Sequence, residues 1–185
     1  MSANILFALF FFLPAGIANT TPALFARIPF IKKNFLWPLD FGRKFKGKRI
    51  FGENKSIFGL ITGALMAILV VYLEKQIFIN SDFVREFSYL NYNEINPVIL
   101  GSLLGIGALA GDAVESFFKR QKGVKSGDAW FPFDQIDYIL GGLLLASLYI
   151  DLRIETYFYI LVIWFLLHLT TNFIGFHVGL KDKPI

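Results

Sequence analysis

Asp112, Ser116 and Lys119 stand at positions i, i+4 and i+7 of an otherwise apolar run, with Arg120 directly after. On a helix that spacing puts a carboxylate, a hydroxyl and a cation on one face, a combination suited to a metal-bound phosphate. Lys119 and Arg120 would equally suit a helix end that meets anionic lipid headgroups. Asp112 and the adjacent Glu115 are not accounted for that way, because ionisable groups within an apolar membrane helix are costly and usually functional. A second constellation follows in Trp130-Phe131-Pro132-Phe133-Asp134-Gln135-Ile136-Asp137-Tyr138. Asp134 and Asp137, three apart, share one side of a helix start. Asp134 alone could be an N-cap, but capping asks nothing of Asp137. A short hairpin would bring the pair close to Asp112, and Asp112, Asp134 and Asp137 together could hold Mg²⁺, which takes few protein carboxylates and fills its shell with phosphate oxygens.

Two more stretches carry polar chemistry. Residues 40–59 are basic and punctuated by glycine, a pattern that lets backbone approach an anionic ligand near a helix start. Within them Lys48, Arg49 and Lys55 are candidate phosphate ligands, while Lys32, Lys33, Lys44 and Lys46 need no role beyond contact with lipid headgroups. No G-x-x-x-x-G-K-[ST] motif is present. Farther on, His168 and Asn172 lie four apart and face the same way within an apolar stretch. They are either a hydrogen-bonding pair between helices or a polar wall for a lipid headgroup.

The elements that must position these residues are membrane helices. Of 185 residues, 55% are hydrophobic and 17% charged, and windows 57–73, 95–111 and 156–180 contain no charge. About 20 apolar residues cross a bilayer. The expected architecture is an all-α integral membrane protein, one domain over residues 1–185, with about five transmembrane helices near 3–20, 57–79, 95–118, 136–150 and 154–178. The first has no Lys or Arg ahead of its phenylalanines, unlike a cleaved leader. It is expected to be retained, interrupted at Pro14 and ended by Asn19-Thr20-Thr21-Pro22. The fourth is short enough to be tilted or partly re-entrant. With alternating loops, fifteen of the eighteen lysines and arginines fall on one side, in two long loops and a tail bearing Lys181 and Lys183. That asymmetry places the N-terminus outside and both loops and the C-terminus in the cytosol. The basic loops are thus a topological signal, and no nucleic-acid partner is expected. Gly101-x-x-x-Gly105 and Gly107-x-x-x-Gly111 equip the third span for close helix packing. There is no cysteine, which excludes disulfides and thiolate metal sites.

Assembled, these residues resemble the CDP-archaeol synthase family and, more distantly, phosphatidate cytidylyltransferases. The resemblance runs through Asn19-Thr20-Thr21-Pro22, Asp40-Phe41-Gly42, Gly47-Lys48-Arg49-Ile50-Phe51-Gly52, Asn54-Lys55-Ser56, Gly111-Asp112, Ser116-Phe117-Phe118-Lys119-Arg120, Asp134-Gln135-Ile136-Asp137-Tyr138, and His168 with Asn172. Its specific part is Ser-x-x-Lys-Arg followed by Asp-x-x-Asp. The sequence departs from the family pattern at Ser56, commonly threonine, and at Gln121, commonly arginine. The first change keeps a hydroxyl, and the second removes a cation. The resemblance implies transfer of CMP from CTP to a membrane lipid phosphate, 2,3-bis-geranylgeranyl-glycerol 1-phosphate, with Mg²⁺ as cofactor and pyrophosphate as the other product. It implies catalytic roles for Asp112, Lys119, Arg120, Asp134 and Asp137. Substrate contacts would come from Asn19, Asp40, Lys48, Arg49, Asn54, Lys55, Ser56, Ser116, His168 and Asn172. The site would lie at the cytosolic face of the cell membrane, where water-borne CTP meets a lipid. Three alternatives stay open here: a CTP-dependent polyprenol or phytol kinase, a cytidylyltransferase acting on diacyl phosphatidate, and a non-enzymatic transporter using the acids as an ion relay.

Overall fold

A computed structural model describes residues 2–125 and 127–179. Lys181 and Lys183, assigned above to a basic tail, lie outside the described residues. The chain forms α1 (Ser2–Phe25), α2 (Pro29–Asn34), a two-stranded ribbon of β1 (Lys44–Phe45) and β2 (Lys48–Arg49), α3 (Ile57–Asn80), α4 (Asp82–Phe87), α5 (Pro97–Gln121), α6 (Phe133–Ala146) and α7 (Ile154–His177).

Four helices, α1, α3, α5 and α7, have the length and apolarity to cross a membrane. At 24 or 25 residues each, they are about 36 Å long. The expected fourth span is α6, which has 14 residues. Its length of about 21 Å falls short of a roughly 30 Å hydrocarbon core. Among the described residues, four helices are therefore long enough to cross by themselves, and α6 packs on α5.

The first helix corrects an expected boundary. It is neither interrupted at Pro14 nor ended at Pro22, and runs on to Phe25. Tertiary packing holds it through the second proline. A β-carbon on Gly59 of α3 would lie 2.8 Å from the Pro22 ring, and one on Gly63 would lie 2.8 Å from the Ala18 carbonyl oxygen. The small α3 face thus accepts the proline without displacing α1. Thr20 and Thr21 turn their hydroxyls back to the Ile17 carbonyl, at 3.0 and 2.7 Å. In lipid no water would satisfy a frayed helix end, so continuation with these local bonds is favoured.

Helix α5 is the centre of the bundle, and its two glycine pairs serve different neighbours. Gly101 and Gly105 meet Ile68 and Ala67 of α3, whereas Gly107 and Gly111 meet Gly141 and the Asp137 backbone of α6. A β-carbon at Gly111 would stand 2.2 Å from the Asp137 carbonyl oxygen. Only glycine lets the backbones come this close, and that approach sets Asp137 beside Asp112. Asn96 starts α5, its side chain accepting from Val98 and Ile99 N–H. Phe7, Phe11, Phe12, Leu100, Leu104 and Ile139 are fully buried between the helices. The Trp164 indole of α7 donates to the Ala8 carbonyl of α1 at 2.9 Å. Outward faces carry exposed leucine, isoleucine and phenylalanine, such as Leu65 and Leu69 on α3 and Phe158 on α7, as lipid contact requires.

Candidate active site

The loop that joins α2 to α3 is organised around one buried carboxylate. The ribbon turn places Lys46 at φ 48° and Gly47 at φ 80°, the left-handed pair of a two-residue hairpin turn. Asp40 sits beneath it, with its side chain fully inaccessible. Arg49 donates to it at 2.7 Å, and the N–H groups of Gly42, Phe51 and Gly52 donate at 3.0, 3.0 and 3.2 Å. Burial alone would raise the Asp40 pKa. The Arg49 hydrogen bond and the donors from Phe51, Gly42 and Gly52 outweigh it and hold the carboxyl well below the usual carboxylate range. Lys48 ties the folded loop to the end of α5 by donating to the Gln121 carbonyl at 2.7 Å.

That anchorage brings Lys55 to Asp112, with which it forms an ion pair. Next along α5 comes Glu115, which is buried, its Oε1 without a hydrogen-bond partner among the described residues. The Lys119 ammonium lies 3.8 Å from that oxygen and pairs with Asp134. Asp134 also accepts from the Trp130 N–H at 2.6 Å, so it closes the α5–α6 turn around Lys119. Asp137, one helical turn deeper, joins Asp112 and Glu115. One carboxylate oxygen from each of the three lies within 4.8 Å of the others. Two unit charges 4 Å apart repel by about 4 kcal/mol even at an effective dielectric constant of 20, so three carboxylates this close call for a cation or protons. The donors are hard oxygens at a spacing a divalent cation can bridge. Mg²⁺ fits the chemistry of the set.

Compared with the sequence reading, the geometry exchanges two carboxylates. Asp134, expected with the metal ligands, is engaged by Lys119 and Trp130. Glu115, weighed only as a functional candidate, completes the trio. Its signal was the i, i+3 step from Asp112, but which of Glu115 and Asp134 turns toward Asp137 depends on helix register. A polar cavity of about 280 Å³ gathers most of the other expected residues. Asn54 and Lys55 line it from the loop, Ser116, Lys119 and Arg120 from α5, and Asn19 and His168 from α1 and α7. Phe51, quoted in the sequence only as part of the resemblance motif, and Gly127, which did not stand out there, also line it. Five expected substrate contacts do not line this cavity, although Ser56 lines the larger one beside it. Asp40 and Arg49 are occupied with each other, Lys48 holds Gln121, and Ser56 caps α3 by accepting from the Gly59 N–H at 3.0 Å. Asn172 is buried on α7 and lines neither of the cavities at this end. A larger cavity of about 550 Å³ adjoins the first and shares Asn19, Asn54, Lys55 and Asp112 with it.

Fold and site together define a multi-pass helical membrane protein with a carboxylate-rich, cation-lined centre at one end of its bundle. Comparison with known proteins makes that class specific. The sequence pattern of the CarS-like family, CDP-archaeol synthase, matches residues 1–185. The CDP-archaeol synthase of Methanosphaerula palustris is 36% identical over 179 residues, covering 93% of this chain and 99% of the relative. That of Thermofilum pendens is 33% identical over 184 residues, covering 98% and 81%. A solved structure, described as an intramembrane enzyme for archaeal membrane lipids biosynthesis, superposes with a TM-score of 0.71 at 28% identity, covering 91% of this chain and 94% of that one. The chain belongs to the CDP-archaeol synthase family. It is a cytidylyltransferase of archaeal-type lipid synthesis.

Proposed function

We propose that this end of the bundle transfers CMP from CTP to 2,3-bis-geranylgeranyl-glycerol 1-phosphate in a Mg²⁺-dependent reaction on the cytosolic side of the membrane. An oxygen of the lipid phosphate attacks the α-phosphorus of CTP. A new P–O bond forms, the bond from the α-phosphorus to the β-phosphate oxygen breaks, and pyrophosphate leaves with those electrons. The nucleophile is already anionic near neutral pH, so no general base is needed. The barrier is repulsion between two polyanions and the entropy of aligning them.

The residues divide that work. Lys119 and Arg120 face the polar cavity and stabilise charge on the phosphoryl group being transferred. Asp134 holds Lys119 in place from below and keeps its ammonium extended. Lys55, delivered by the Asp40-centred loop, neutralises phosphate charge at the junction of the two cavities. Asp112, Glu115 and Asp137 would hold Mg²⁺. Bound there, the ion would supply charge neutralisation for the triphosphate and its leaving group. Arg49 and Lys48 act through the loop: one locks Asp40 and the other anchors the ribbon to α5.

The observation that carries this reading is the meeting of three carboxylates from α5 and α6 with Lys55 and Lys119 beside them. Orientation rests on a second contact. The Lys48–Gln121 bond unites the long basic loop with the basic end of α5, so both carry their positive charge to one face, the cytosolic one by the positive-inside rule. The test is turnover of purified protein with CTP labelled at the α- or γ-phosphate, offered a panel of ether and ester lipid phosphates. Label entering lipid from the α-position, with pyrophosphate release abolished by EDTA and restored by Mg²⁺, is the expected result. Entry of γ-label would make the protein a kinase, and preference for diacyl phosphatidate would overturn the lipid assignment.

A further inference from the structure

The larger cavity has the character of an amphiphile site. Its inner wall is the polar junction it shares with the smaller cavity, where Lys55 pairs with Asp112. Its sides are apolar: Pro22 from α1 and Ala26 just after it, Leu36 and Leu39 after α2, Leu60 from α3, and Leu109 from α5. At about 550 Å³ it lies within the ordinary range for small-ligand sites. Two cations line it, Lys55 at the inner wall and Lys32 of α2. Lys32 makes no ion pair among the described residues, and Glu53, the other acid on the cavity wall, lies within 3.9 Å of Arg49.

Helix α2 is placed to be the lip of this cavity. Phe35 packs on Phe58 of α3 with ring centroids 5.5 Å apart, and Phe30 packs on Phe35 at 5.8 Å. Phe25 at the end of α1 reaches the same Phe58 at 5.9 Å. This aromatic chain links the short helix to the bundle, while the helix itself buries no residue. Leu24 of α1, Ile28 just before α2 and Phe30 of α2 are exposed, the composition of a segment lying at a membrane interface. A lipid can therefore leave its chains among apolar residues while its headgroup reaches past Lys32 toward Lys55.

From this arrangement we infer that the larger cavity seats the lipid phosphate and that Lys32 is the residue that recognises its headgroup. The inference rests on the cytidylyl-transfer reading above. The two substrates then approach the Lys55–Asp112 junction from opposite cavities, the polar one holding the nucleotide and the amphiphilic one the lipid. Lys32 acts before chemistry, so its contribution falls on lipid affinity rather than on the rate of the bound complex.

The experiment compares wild type, Lys32→Ala, Lys32→Arg and Lys33→Ala, each reconstituted in zwitterionic nanodiscs of fixed composition with 2,3-bis-geranylgeranyl-glycerol 1-phosphate. Lys33 is an exposed neighbour on the same helix that does not line the cavity. Lys32→Ala is expected to raise the KM for lipid about tenfold, the loss of one charge-assisted hydrogen bond. Its kcat, KM for CTP and calorimetric CTP affinity measured without lipid should stay near wild type. Lys32→Arg is expected to restore most of the lipid affinity, and Lys33→Ala to match wild type. An unchanged lipid KM in Lys32→Ala, with wild type active, overturns the lipid seat and leaves the reaction standing. An equal loss in Lys33→Ala overturns it in favour of general attraction to surface charge, and a raised KM for CTP overturns it in favour of a nucleotide contact. Failure of wild type to move α-label into lipid overturns both the reaction and the seat.

Discussion

At one end of the bundle, Asp112, Glu115 and Asp137 turn their carboxylates toward one another beside Lys55 and Lys119. At the other end, Glu74 is as deeply buried as any of them, yet it lies beside Tyr92, on which Phe10 and Phe78 pack, with no second carboxylate grouped with it among the described residues. Cations at that far end serve the backbone. Arg85 donates to the Phe78 and Ile79 carbonyls, and Lys75 to those of Asn93 and Ile95. These bonds close the turns that leave α3 and enter α5. Burial of charge is therefore common to both ends and does not mark the site. What marks it is convergence: like charges held close from two helices, with unlike charges and open volume next to them. Such an arrangement is unfavourable unless something binds there, whereas Glu74, its two oxygens also without a hydrogen-bond partner among the described residues, meets no second carboxylate there.

The sharpest way to break this contrast is to neutralise one carboxylate at each end. Asp137→Asn is expected to lower kcat by about 10²–10³-fold, in the range seen when a preorganised electrostatic group is lost. Glu74→Gln should leave turnover per folded molecule within about twofold. Steady-state assays with folded protein quantified by size exclusion would show it, and equal losses would sink the distinction. Next in size is Gly111→Ala. The added methyl would collide with the Asp137 carbonyl, separating α6 from α5 at a cost of about 1–3 kcal/mol. Thermal unfolding in detergent should register that loss, and Mg²⁺ dependence should weaken with it. The matching change at Gly101, facing α3, should destabilise to a similar degree while sparing metal affinity.

A smaller effect is expected from the loop. Because the folded pKa of Asp40 is held below its unfolded value, the stability it contributes is fully present above the ordinary carboxylate range, near pH 4. It is lost only as pH falls through the depressed folded value. Limited proteolysis of residues 40–55 should accordingly show protection unchanged from pH 7 to about pH 5, and Asp40→Asn should be cleaved faster throughout that window. The smallest change is Lys48→Ala. It removes one bond to the Gln121 carbonyl and should raise the KM for CTP about two- to fivefold with kcat preserved, as a loosened anchor would.

Much of the site was legible without coordinates. Asp112, Ser116, Lys119 and Arg120 could be read from helical spacing, Lys55 from the glycine-punctuated loop, and Asn54 from the family resemblance. All of them line one cavity. Three things were not legible. Arg49 looked like a phosphate ligand because its charge is visible in sequence, while its hold on Asp40 depends on the ribbon folding over a carboxylate nine residues away. Glu115 and Asp134 changed places because two acids near a helix pair offer no clue to which faces inward. Pro22 read as a stop because a proline's local effect is disruptive, and the close packing of its helix on Gly59 and Gly63 of another is invisible along the chain.

By itself the sequence determined that this is a helical membrane protein and that its positive charge gathers in two long loops. It also determined which acids and bases were available for chemistry on phosphates. Those properties follow from composition and from local periodicity, which act along the chain. The tertiary structure alone decided which carboxylates meet, which cations remain open to a ligand, and that two cavities share one ion pair. Each of those depends on how closely helices approach, and that distance is set by glycine against backbone across the α5–α6 and α1–α3 contacts, where no single stretch of sequence holds both partners.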